Sequence, residues 1–257
     1  MITLKSSAEI SKMRESAKIA AHVMDLVLAS AKEGVTTKEL DRLAEAEIRR
    51  NGGIPSFLHY EGYPASICSC INDEIVHGIP GKRKLKNGDI LTVDLGVILH
   101  GYHSDMARTI GIGEISERAQ KLIDVTKESF FRGIEKAVAG NRIVDISEAI
   151  QKYAESNGMS VVRPFVGHGI GQEMHEDPEV PNYVTRHRGP VLRPGMTIAV
   201  EPMLNLGSKE VSFDDDGWTA RTKDGEYSAQ YENTIAIMPD GLPEILTLPG
   251  FSWEDRK

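Results

Sequence analysis

Apolar residues recur at helical spacing in the N-terminal part of the chain. Ser6 and Glu9 are spaced as in a helix-capping box, and the apolar pattern after them predicts a helix that ends near Gly34. Thr36 and Glu39 repeat this arrangement and begin a second predicted helix. The apolar positions of these two helices are Ile10, Met13, Ala17, Ala20, Met24, Val27, Leu40, Leu43 and Ile48.

The same order of elements returns in the second part of the chain. A third helix is predicted from about Ser116 to Gly140. A fourth begins near Asp145 and ends at Asn157, just as the second helix ends at Asn51. Apolar runs bounded by glycine follow each helix pair and predict β-strands. Each half therefore has the order helix, helix, strands.

Matching positions of the two halves are separated by a nearly constant number of residues. Gly34 and Gly140, each before the second helix of a pair, are 106 residues apart. The stretch LKNGDILTVD at 85–94 resembles LRPGMTIAVE at 192–201, which begins 107 residues later. This constant spacing indicates an internal duplication rather than a chance alignment of a few Gly and Leu residues.

The duplication predicts a mixed α/β (α+β) fold with two similar halves, roughly residues 1–110 and 111–250, related by a pseudo-twofold axis. We expect the strands to form one curved, mainly antiparallel sheet with the helices covering its outside. Because no proline- or serine-rich linker separates the halves, residues 1–257 are interpreted as a single domain. The repeat places Asp94 and Glu201 at equivalent positions, so both are expected to point toward the shared centre.

The stretch LTVDLGVILHGYHSDMARTI, residues 91–110, predicts a β-hairpin that carries two aspartates. With a two-residue loop at residues 100–101, Asp94 faces residue 107. Asp105 is then a diagonal neighbour of Asp94 on the same face, roughly 7–8 Å away. A loop that begins one residue earlier places the two aspartates directly opposite each other. Both alignments bring the carboxylates together between apolar neighbours.

Converging carboxylates repel each other and need either a shared proton or a cation. A third arrangement, with Asp94 simply solvated at a strand end, is disfavoured by the apolar residues on both sides of it. Other candidate ligands favour the cation, since His168 lies between glycines and Glu201 and Glu232 interrupt apolar runs. The four carboxylates carry a charge of −4, which two divalent ions would balance with neutral His168 as the fifth ligand.

Composition and charge narrow the range of functions. The chain has 257 residues, a net charge of −8 and no basic tract, which argues against a nucleic-acid partner. Neither a signal peptide nor an apolar run long enough for a membrane span is visible, so we expect a cytoplasmic protein without a membrane partner. Cys68 and Cys70 fit a reducing compartment, and they are interpreted as small buried side chains rather than half of a zinc site.

The five candidate ligands occur in the order and approximate spacing of the methionine aminopeptidases, which the chain resembles over about residues 4–248. The short N-terminus and the lack of a large insert between His168 and Glu201 resemble the bacterial type I form. The similar stretches are INDEIVHGIP (71–80), VDLGVILHGYHSDMART (93–109), GHGIG (167–171) followed by HEDP (175–178), LRPGMTIAVEPM (192–203) and SAQYENT (228–234).

The resemblance implies a pita-bread fold and removal of the initiator methionine from new polypeptides. It also implies two divalent metal ions, with cobalt, manganese, iron or zinc as the candidates, held by Asp94, Asp105, His168, Glu201 and Glu232. By the same resemblance, Glu201 shuttles a proton and His175 donates a hydrogen bond to the scissile carbonyl oxygen or to the tetrahedral intermediate. His77 contacts the scissile amide or the next residue; without the resemblance it would be interpreted as a turn residue.

An apolar pocket for the methionine side chain is implied as well, with soft or aromatic walls. Phe57 stands where a cysteine is usual and Met174 where an aromatic residue is common, so the shape of the pocket is expected to differ. Asn233 replaces a frequent histidine, and the contact behind Glu232 is expected to differ too. The matched pocket residues are Phe57, Tyr60, Tyr63, Cys68, Met174 and Trp218, with His77 and His175 beside them.

Asn72, Glu74 and Ser228 match a monovalent-cation site of the same family. The acidic stretch DDDGW at residues 214–218 is interpreted as a hairpin tip that carries Trp218 rather than as a calcium site.

Two alternative functions belong to relatives of this fold. A prolidase or Xaa-Pro aminopeptidase usually carries an extra N-terminal domain, for which this chain has no room. A catalytically inactive pita-bread binding module generally loses metal ligands, whereas all five stand here. The expected partners of a methionine aminopeptidase are the N-termini of nascent polypeptides and the ribosome, and we expect the chain itself to be a monomer.

Overall fold

The computed structural model describes residues 1–256, apart from the side chain of residue 255. None of the helices in this range is long and apolar enough to cross a membrane. The α-helices within it are α1, Ser7–Ser30, α2, Thr37–Arg50, α3, Glu117–Ile134, and α4, Ile143–Ser156.

Side-chain caps begin the first two helices where the sequence predicts them. The Ser6 hydroxyl accepts a hydrogen bond from the Glu9 N–H, and the Glu9 carboxylate accepts one from the Ser6 N–H. Thr36 and Glu39 make the same reciprocal pair. Each box satisfies backbone donors that the first turn of a helix leaves without an intrahelical partner.

The third helix is shorter than the sequence pattern suggests. It begins after Ser116, as predicted, but ends at Ile134 instead of continuing to Gly140. The Lys136 N–H donates to the Gly133 carbonyl and the Ala137 N–H to the Ile134 carbonyl. These bonds span three residues instead of four, so the final turn tightens and the α-helical repeat stops.

One long hairpin stands out among mostly short strands. Its two strands have ten residues each. The strands are β1, Ile54–Pro55, β2, Ile67–Ile71, β3, Glu74–Val76, β4, Ile90–Leu99, β5, Tyr102–Gly111, β6, Ser160–Val161, β7, Gly167–Gly169, β8, Glu176–Val180, β9, Thr197–Val200, β10, Met203–Asn205, β11, Val211–Phe213, β12, Ala220–Thr222, β13, Ser228–Gln230, β14, Asn233–Ala236, and β15, Glu244–Ile245.

The strands pair antiparallel in four hydrogen-bonded groups. In order they are β1-β4-β2 with β5 on the free side of β4, β13-β10-β6, β11-β12-β3, and β15-β14-β9-β7-β8. Side chains tie the groups together: the Thr109 hydroxyl donates to the Gln230 carbonyl (2.8 Å), and the Asp105 N–H donates to the Thr234 hydroxyl (2.9 Å). The antiparallel arrangement predicted from the sequence is confirmed.

Two large apolar clusters each join one helix pair to strands of its own half. The first cluster joins α1 and α2 to β2 and β4, and the second joins α3 and α4 to β9 and β14. Fully buried members of the two clusters include Val23, Leu40, Ile67, Leu95, Phe130, Ile146, Ile198 and Ile235. Because the helices cover one side of the strands, the other side is left to form the interior site.

Equivalent backbone hydrogen bonds occur at the spacing of the sequence repeat. The Gly34 N–H donates to the Leu85 carbonyl (2.8 Å), and the Gly140 N–H donates to the Leu192 carbonyl (2.9 Å). The two donors are 106 residues apart and the two acceptors 107. These contacts support the predicted internal duplication, which stays a prediction.

Candidate metal centre and active site

The hairpin of β4 and β5 places two aspartates on one face, in the first of the predicted alignments. Asp94 pairs with Ala107, and Asp105 pairs with Gly96. Residues 100–101 form the loop with φ values of 53° and 75°, the backbone region of the tight turns that fit the twist of a hairpin. Asp94 and Asp105 are therefore diagonal neighbours across the ladder.

His168 reaches the site on a strand that only glycines allow to pack so closely. A Cβ on Gly167 would lie 2.3 Å from the Ala199 carbonyl oxygen, and one on Gly169 would lie 2.2 Å from that of Asp177. His168 Nδ1 donates to the Gly169 carbonyl (2.9 Å), which leaves Nε2 unprotonated and free to accept. Glycine at both positions therefore permits a backbone approach that any Cβ would block.

The two glutamates stand at the ends of neighbouring strands of the second half. Glu201 follows β9 directly, and Glu232 precedes β14 directly. The strands pair so that Val200 is opposite Asn233, which brings both glutamates to one end of the ladder. The Glu232 N–H donates to the Ala107 carbonyl of β5 (3.0 Å) and so joins this end to the aspartate hairpin.

The five predicted ligands converge in space. His168 Nε2 lies 3.9 Å from Asp105 Oδ2 and 3.9 Å from Glu201 Oε1. Ligand atoms of Asp105, His168 and Glu232 all lie within 4.8 Å of one another. Asp94 lines the same cavity. Residues that are up to 138 positions apart in the chain thus surround one small volume.

Burial and mutual repulsion keep the acids of this cluster from ionising at their ordinary pKa. Burial raises the pKa of Asp94 to about 7. Burial, and after it the charge of Glu232, raises the pKa of Asp105 well above its usual value. The pKa values of Glu201 and Glu232 are raised for the same reasons, burial first and neighbouring acids second. The side chains around this centre therefore do not balance the negative charge that the four acids carry when they are ionised.

Unsatisfied oxygen atoms show that the donor set fits divalent metal ions. Asp94 Oδ1 and Asp105 Oδ1 are buried and accept no hydrogen bond from any residue within 1–256. A buried carboxylate oxygen without a partner is costly unless a cation approaches it. Burial, with the nearby charge of His175, lowers the pKa of His168 to about 4, so this imidazole is a neutral ligand at physiological pH.

Several residues that support the ligands were not identified from the sequence. Gln230 Nε2 donates to Glu201 Oε2 (3.3 Å). Arg108 Nη2 donates to Asn233 Oδ1 (2.6 Å), and its Nη1 donates to the Glu232 carbonyl (2.5 Å). Arg108 thus holds the backbone behind Glu232 and leaves the carboxylate free. The contact that was expected to differ at Asn233 is therefore its hydrogen bond with Arg108. The only sequence signal for Gln230 and Arg108 was that both lie in stretches that match the family.

Two histidines flank the acid cluster. The His175 ring lies 4.3 Å from that of His168, and its Nδ1 shares a 2.8 Å hydrogen bond with the Tyr60 hydroxyl. His77 follows β3 in a left-handed conformation, with φ of 61°, and its ring is edge-on to Trp218 at 6.4 Å. Burial lowers the pKa of His77 to about 4 and also lowers that of His175, so both are neutral near pH 7.

The predicted pocket residues form one apolar cluster beside the acids. Tyr63 packs edge-on against Trp218 at 5.0 Å, and Cys68 pairs with Asp94 across β2 and β4. The cavity is lined by Phe57, Tyr60, Tyr63, Cys68, His77, Met174, His175 and Trp218, by the five candidate ligands, and by Glu61. Glu61 was not singled out from the sequence, because an exposed acid in a short 3₁₀ turn resembles any other surface residue. Cys68 and Cys70 are free and buried, as expected.

The three residues matched to a monovalent-cation site are close together but engaged in other contacts. The Ser228 N–H donates to the Asn72 carbonyl (2.8 Å). Glu74 accepts from the Ile71 N–H (2.6 Å), from Arg83 (2.9 Å) and from Arg221 (2.8 Å). Two guanidinium groups already neutralise this carboxylate, so a cation here would rely on the oxygens of Asn72 and Ser228. The cation site stays a prediction.

Comparison with known proteins agrees with this arrangement. Residues 11–239 match metallopeptidase family M24. The methionine aminopeptidase of Clostridium perfringens is 56% identical over 248 residues, covering 96% of this chain and 99% of that protein. The solved methionine aminopeptidase from Rickettsia prowazekii has a TM-score of 0.94 at 41% identity and covers 96% of this chain and 100% of that one.

A more distant structural match helps to decide between the methionine aminopeptidases and the prolidases. The Xaa-Pro dipeptidase from Bacillus anthracis has a TM-score of 0.76 at 25% identity, and the match covers 97% of this chain but 63% of that one. The higher identity and the full-length coverage both lie with the methionine-specific relatives. This chain therefore belongs to metallopeptidase family M24 and, within it, to the methionine aminopeptidases.

Proposed function

We propose that this chain hydrolyses the peptide bond after an N-terminal methionine in newly made polypeptides. The observation that carries the proposal is the acid cluster, Asp94, Asp105, Glu201 and Glu232, which meets His168 at one end of an apolar cavity. A set of oxygen donors with one imidazole suits Mn, Fe, Co or Zn, and two divalent ions would balance four carboxylates. Bound there, such ions would polarise the scissile carbonyl and lower the pKa of an attacking water.

Glu201 is placed to move the proton of the reaction. Its carboxylate is buried at the centre of the cluster, and Gln230 donates to one of its oxygens (3.3 Å) and so fixes its orientation. The other oxygen, Oε1, faces His168 at 3.9 Å. We assign to Glu201 the acceptance of a proton from the attacking water and its transfer to the leaving amine.

His175 and His77 are assigned to the scissile amide. The 2.8 Å hydrogen bond between the Tyr60 hydroxyl and Nδ1 of His175 is compatible with the tautomer whose proton is on Nε2, and we assign that tautomer because it donates a hydrogen bond to a carbonyl oxygen. Because burial keeps His77 neutral, it donates to the backbone of the residue after methionine without adding charge to the site.

The apolar end of the cavity is assigned to the methionine side chain. Phe57, Tyr63, Cys68 and Met174 are buried around it, and Trp218 closes one side. Met174 and Cys68 provide soft, polarisable contacts for a thioether. A polar side chain would lose its water here without gaining a partner, so the pocket favours methionine over serine or lysine.

The assay uses metal-free protein and short peptides. Metal-free protein should release no methionine from Met-Ala-Ser, and adding Mn²⁺, Fe²⁺ or Co²⁺ should restore release. Cleavage of X-Pro peptides without cleavage of Met-Ala-Ser would assign the chain to the prolidase type instead. Metal binding without hydrolysis of either peptide would indicate a binding module.

The cellular setting is part of the same proposal. The substrates are N-termini of nascent polypeptides with a small second residue, and the enzyme acts in the cytoplasm as a monomer that meets the ribosome. A monovalent cation at Asn72 and Ser228 would stabilise the loop before β3. Sedimentation of the purified chain with ribosomes, at several salt concentrations, tests the ribosome contact.

A further inference from the structure

An aromatic strip leads out of the active-site cavity across the surface of a neighbouring sheet. His77 lines the cavity, Phe165 packs edge-on against it at 5.2 Å, and Phe213 packs against Phe165 at 6.1 Å. These three rings are called the aromatic strip. Phe213 is 64% exposed, although it is a large apolar side chain. Continuity with the cavity distinguishes this exposed ring from an isolated surface phenylalanine.

The register of the sheet places the strip on one face. Phe213 of β11 pairs with Ala220 of β12, and Ala220 pairs with Val76 of β3. Side chains of directly paired residues point to the same face of a sheet. Ala220 and Val76 are buried with Phe165 packed against them, whereas Phe213 on the outer strand extends the same face into solvent.

Charged groups hold this sheet in place. Arg221 of β12 donates through Nε to Asp214 (2.8 Å), through Nη1 to Asp73 (3.1 Å) and through Nη2 to Glu74 (2.8 Å). Asp214 directly follows Phe213, and Glu74 begins the strand that ends just before His77. One guanidinium therefore links the two chain segments that carry the ends of the aromatic strip, which sets their spacing before any ligand binds.

We propose that the aromatic strip binds an apolar side chain of the substrate at the second or third position after the cleaved bond. The proposal rests on the proposed function, in which His77 contacts the residue that follows methionine. The distances from His77 to Phe165 and from Phe165 to Phe213 together roughly equal the length of three extended residues, at about 3.3 Å each. The ligand of the aromatic strip is the substrate polypeptide itself, because the polypeptide leaves the cavity beside His77, where the strip begins.

Three peptide amides with free N-termini test the proposal: Met-Ala-Ser-Ser, Met-Ala-Leu-Ser and Met-Ala-Ser-Leu. Partial burial of one leucine predicts a kcat/KM about five-fold higher for one of the leucine peptides than for Met-Ala-Ser-Ser. Because the strip is remote from the scissile bond, the gain should lie in KM. The readout for each enzyme variant is kcat/KM for the preferred leucine peptide divided by kcat/KM for Met-Ala-Ser-Ser.

Substitutions on the strip and elsewhere complete the test. Phe213→Ser should reduce the ratio to about one, and Phe213→Leu should retain part of it. Ile54→Ser is the matched control, because Ile54 is also a strand residue with more than half of its surface exposed. It should keep the ratio of the unaltered chain.

Two results would overturn the proposal. A ratio near one in the unaltered chain, with Met-Ala-Ser-Ser still cleaved, would refute the strip and leave the aminopeptidase intact. A ratio that survives Phe213→Ser would assign the preference to other residues. Failure of all three peptides to release methionine would instead refute the proposed function, and the strip with it.

Discussion

Two groups of buried or half-buried carboxylates lie near the same cavity, and they are neutralised differently. In the first, the arginine cluster, Asp73, Glu74 and Asp214 surround Arg221, with Arg83 on Glu74. Here the chain supplies its own cations, and each carboxylate accepts charge-assisted hydrogen bonds. This cluster fastens one strand group to the β2–β3 turn.

The second group, the acid cluster, has no such partner within the described residues. Arg108 is close to Glu232, but it donates to backbone carbonyls and to Asn233 instead of to the carboxylate. Asp94 and Asp105 each keep a buried oxygen that accepts no hydrogen bond within residues 1–256. Burial raises the pKa of Glu74 in the arginine cluster as well, so the contrast lies in the donors: an external cation belongs at buried acids whose oxygens the fold leaves without them.

The largest expected effect comes from removing one acid of the second group. Asp105→Asn keeps the shape of the side chain but removes a ligand charge, so kcat/KM for Met-Ala-Ser should fall by roughly 10³-fold. Asp73→Asn in the arginine cluster is the matched control, and it should change the rate less than about three-fold because Arg221 keeps two other acidic partners. Comparable losses in both variants would mean that the two clusters do not differ in role.

The second-largest effect is expected from binding or removing the metal at the acid cluster. Mn²⁺ at about 100 times its dissociation constant should raise the unfolding free energy by about 2.7 kcal/mol. For a chain of this size the melting temperature should then rise by roughly 5–10 °C, measured by calorimetry on chelator-treated protein. Arg221→Met should keep this shift and Asp105→Asn should lose most of it. An unchanged melting temperature in the unaltered chain would show that the acid cluster holds no ion.

The third effect is the pH dependence of the metal-free protein. Burial raises the pKa of Asp94 to about 7, above the unfolded value of about 4, so the folded chain holds this proton more tightly. The unfolding free energy should therefore increase as pH falls from 8 to 6.5, opposite to the behaviour of an acid in an ion pair. The buried histidines oppose this trend as pH falls through their unfolded pKa of about 6.5, since burial lowers their folded pKa to about 4, so the increase depends on the four acids together outweighing them.

Melting temperatures at pH 8 and pH 6.5 in the presence of chelator measure this dependence. Asp94→Asn should weaken it, because Asp105, Glu201 and Glu232 keep raised pKa values, and saturating metal should abolish it. A melting temperature that falls on acidification over this interval would contradict the raised pKa values.

The smallest effect is expected in the arginine cluster itself. Arg221→Met removes the guanidinium from three acids, but its side chain is 28% exposed and water screens the charges. We expect a loss of about 1 kcal/mol of unfolding free energy, together with a higher KM because Trp218 and His77 lose their common anchor. Arg118→Met breaks a more exposed pair with Glu226 and should cost less than about 0.5 kcal/mol.

Local sequence signals predicted much of the scaffold. The capping boxes at Ser6 and Thr36 specify helix starts through contacts three residues apart, and α1 and α2 begin where they predict. The two-residue loop at 100–101 sets the register of the long hairpin and hence the diagonal pairing of Asp94 with Asp105. The end of α3 was placed too late, since no strong stop signal follows Ile134 until Gly140.

The supporting residues of the site were less predictable. Gln230 lies within a matched stretch, yet only the folded chain shows that it donates to Glu201. Glu74 was assigned to a cation site from its position, whereas its carboxylate meets Arg83 and Arg221, the second of which is 147 residues away. Contacts of this kind depend on how strand groups pack, and short-range patterns carry no information about that.

The sequence by itself determined the helix caps, the hairpin with its two possible registers, the repeat and the five ligand candidates, because these depend on spacing along the chain. Tertiary structure alone decided which carboxylates receive a guanidinium and which are left without one. It also decided that Phe165 and Phe213 continue from His77 along one sheet face. The reason is physical: charge neutralisation and burial depend on distances in space, which long-range packing sets.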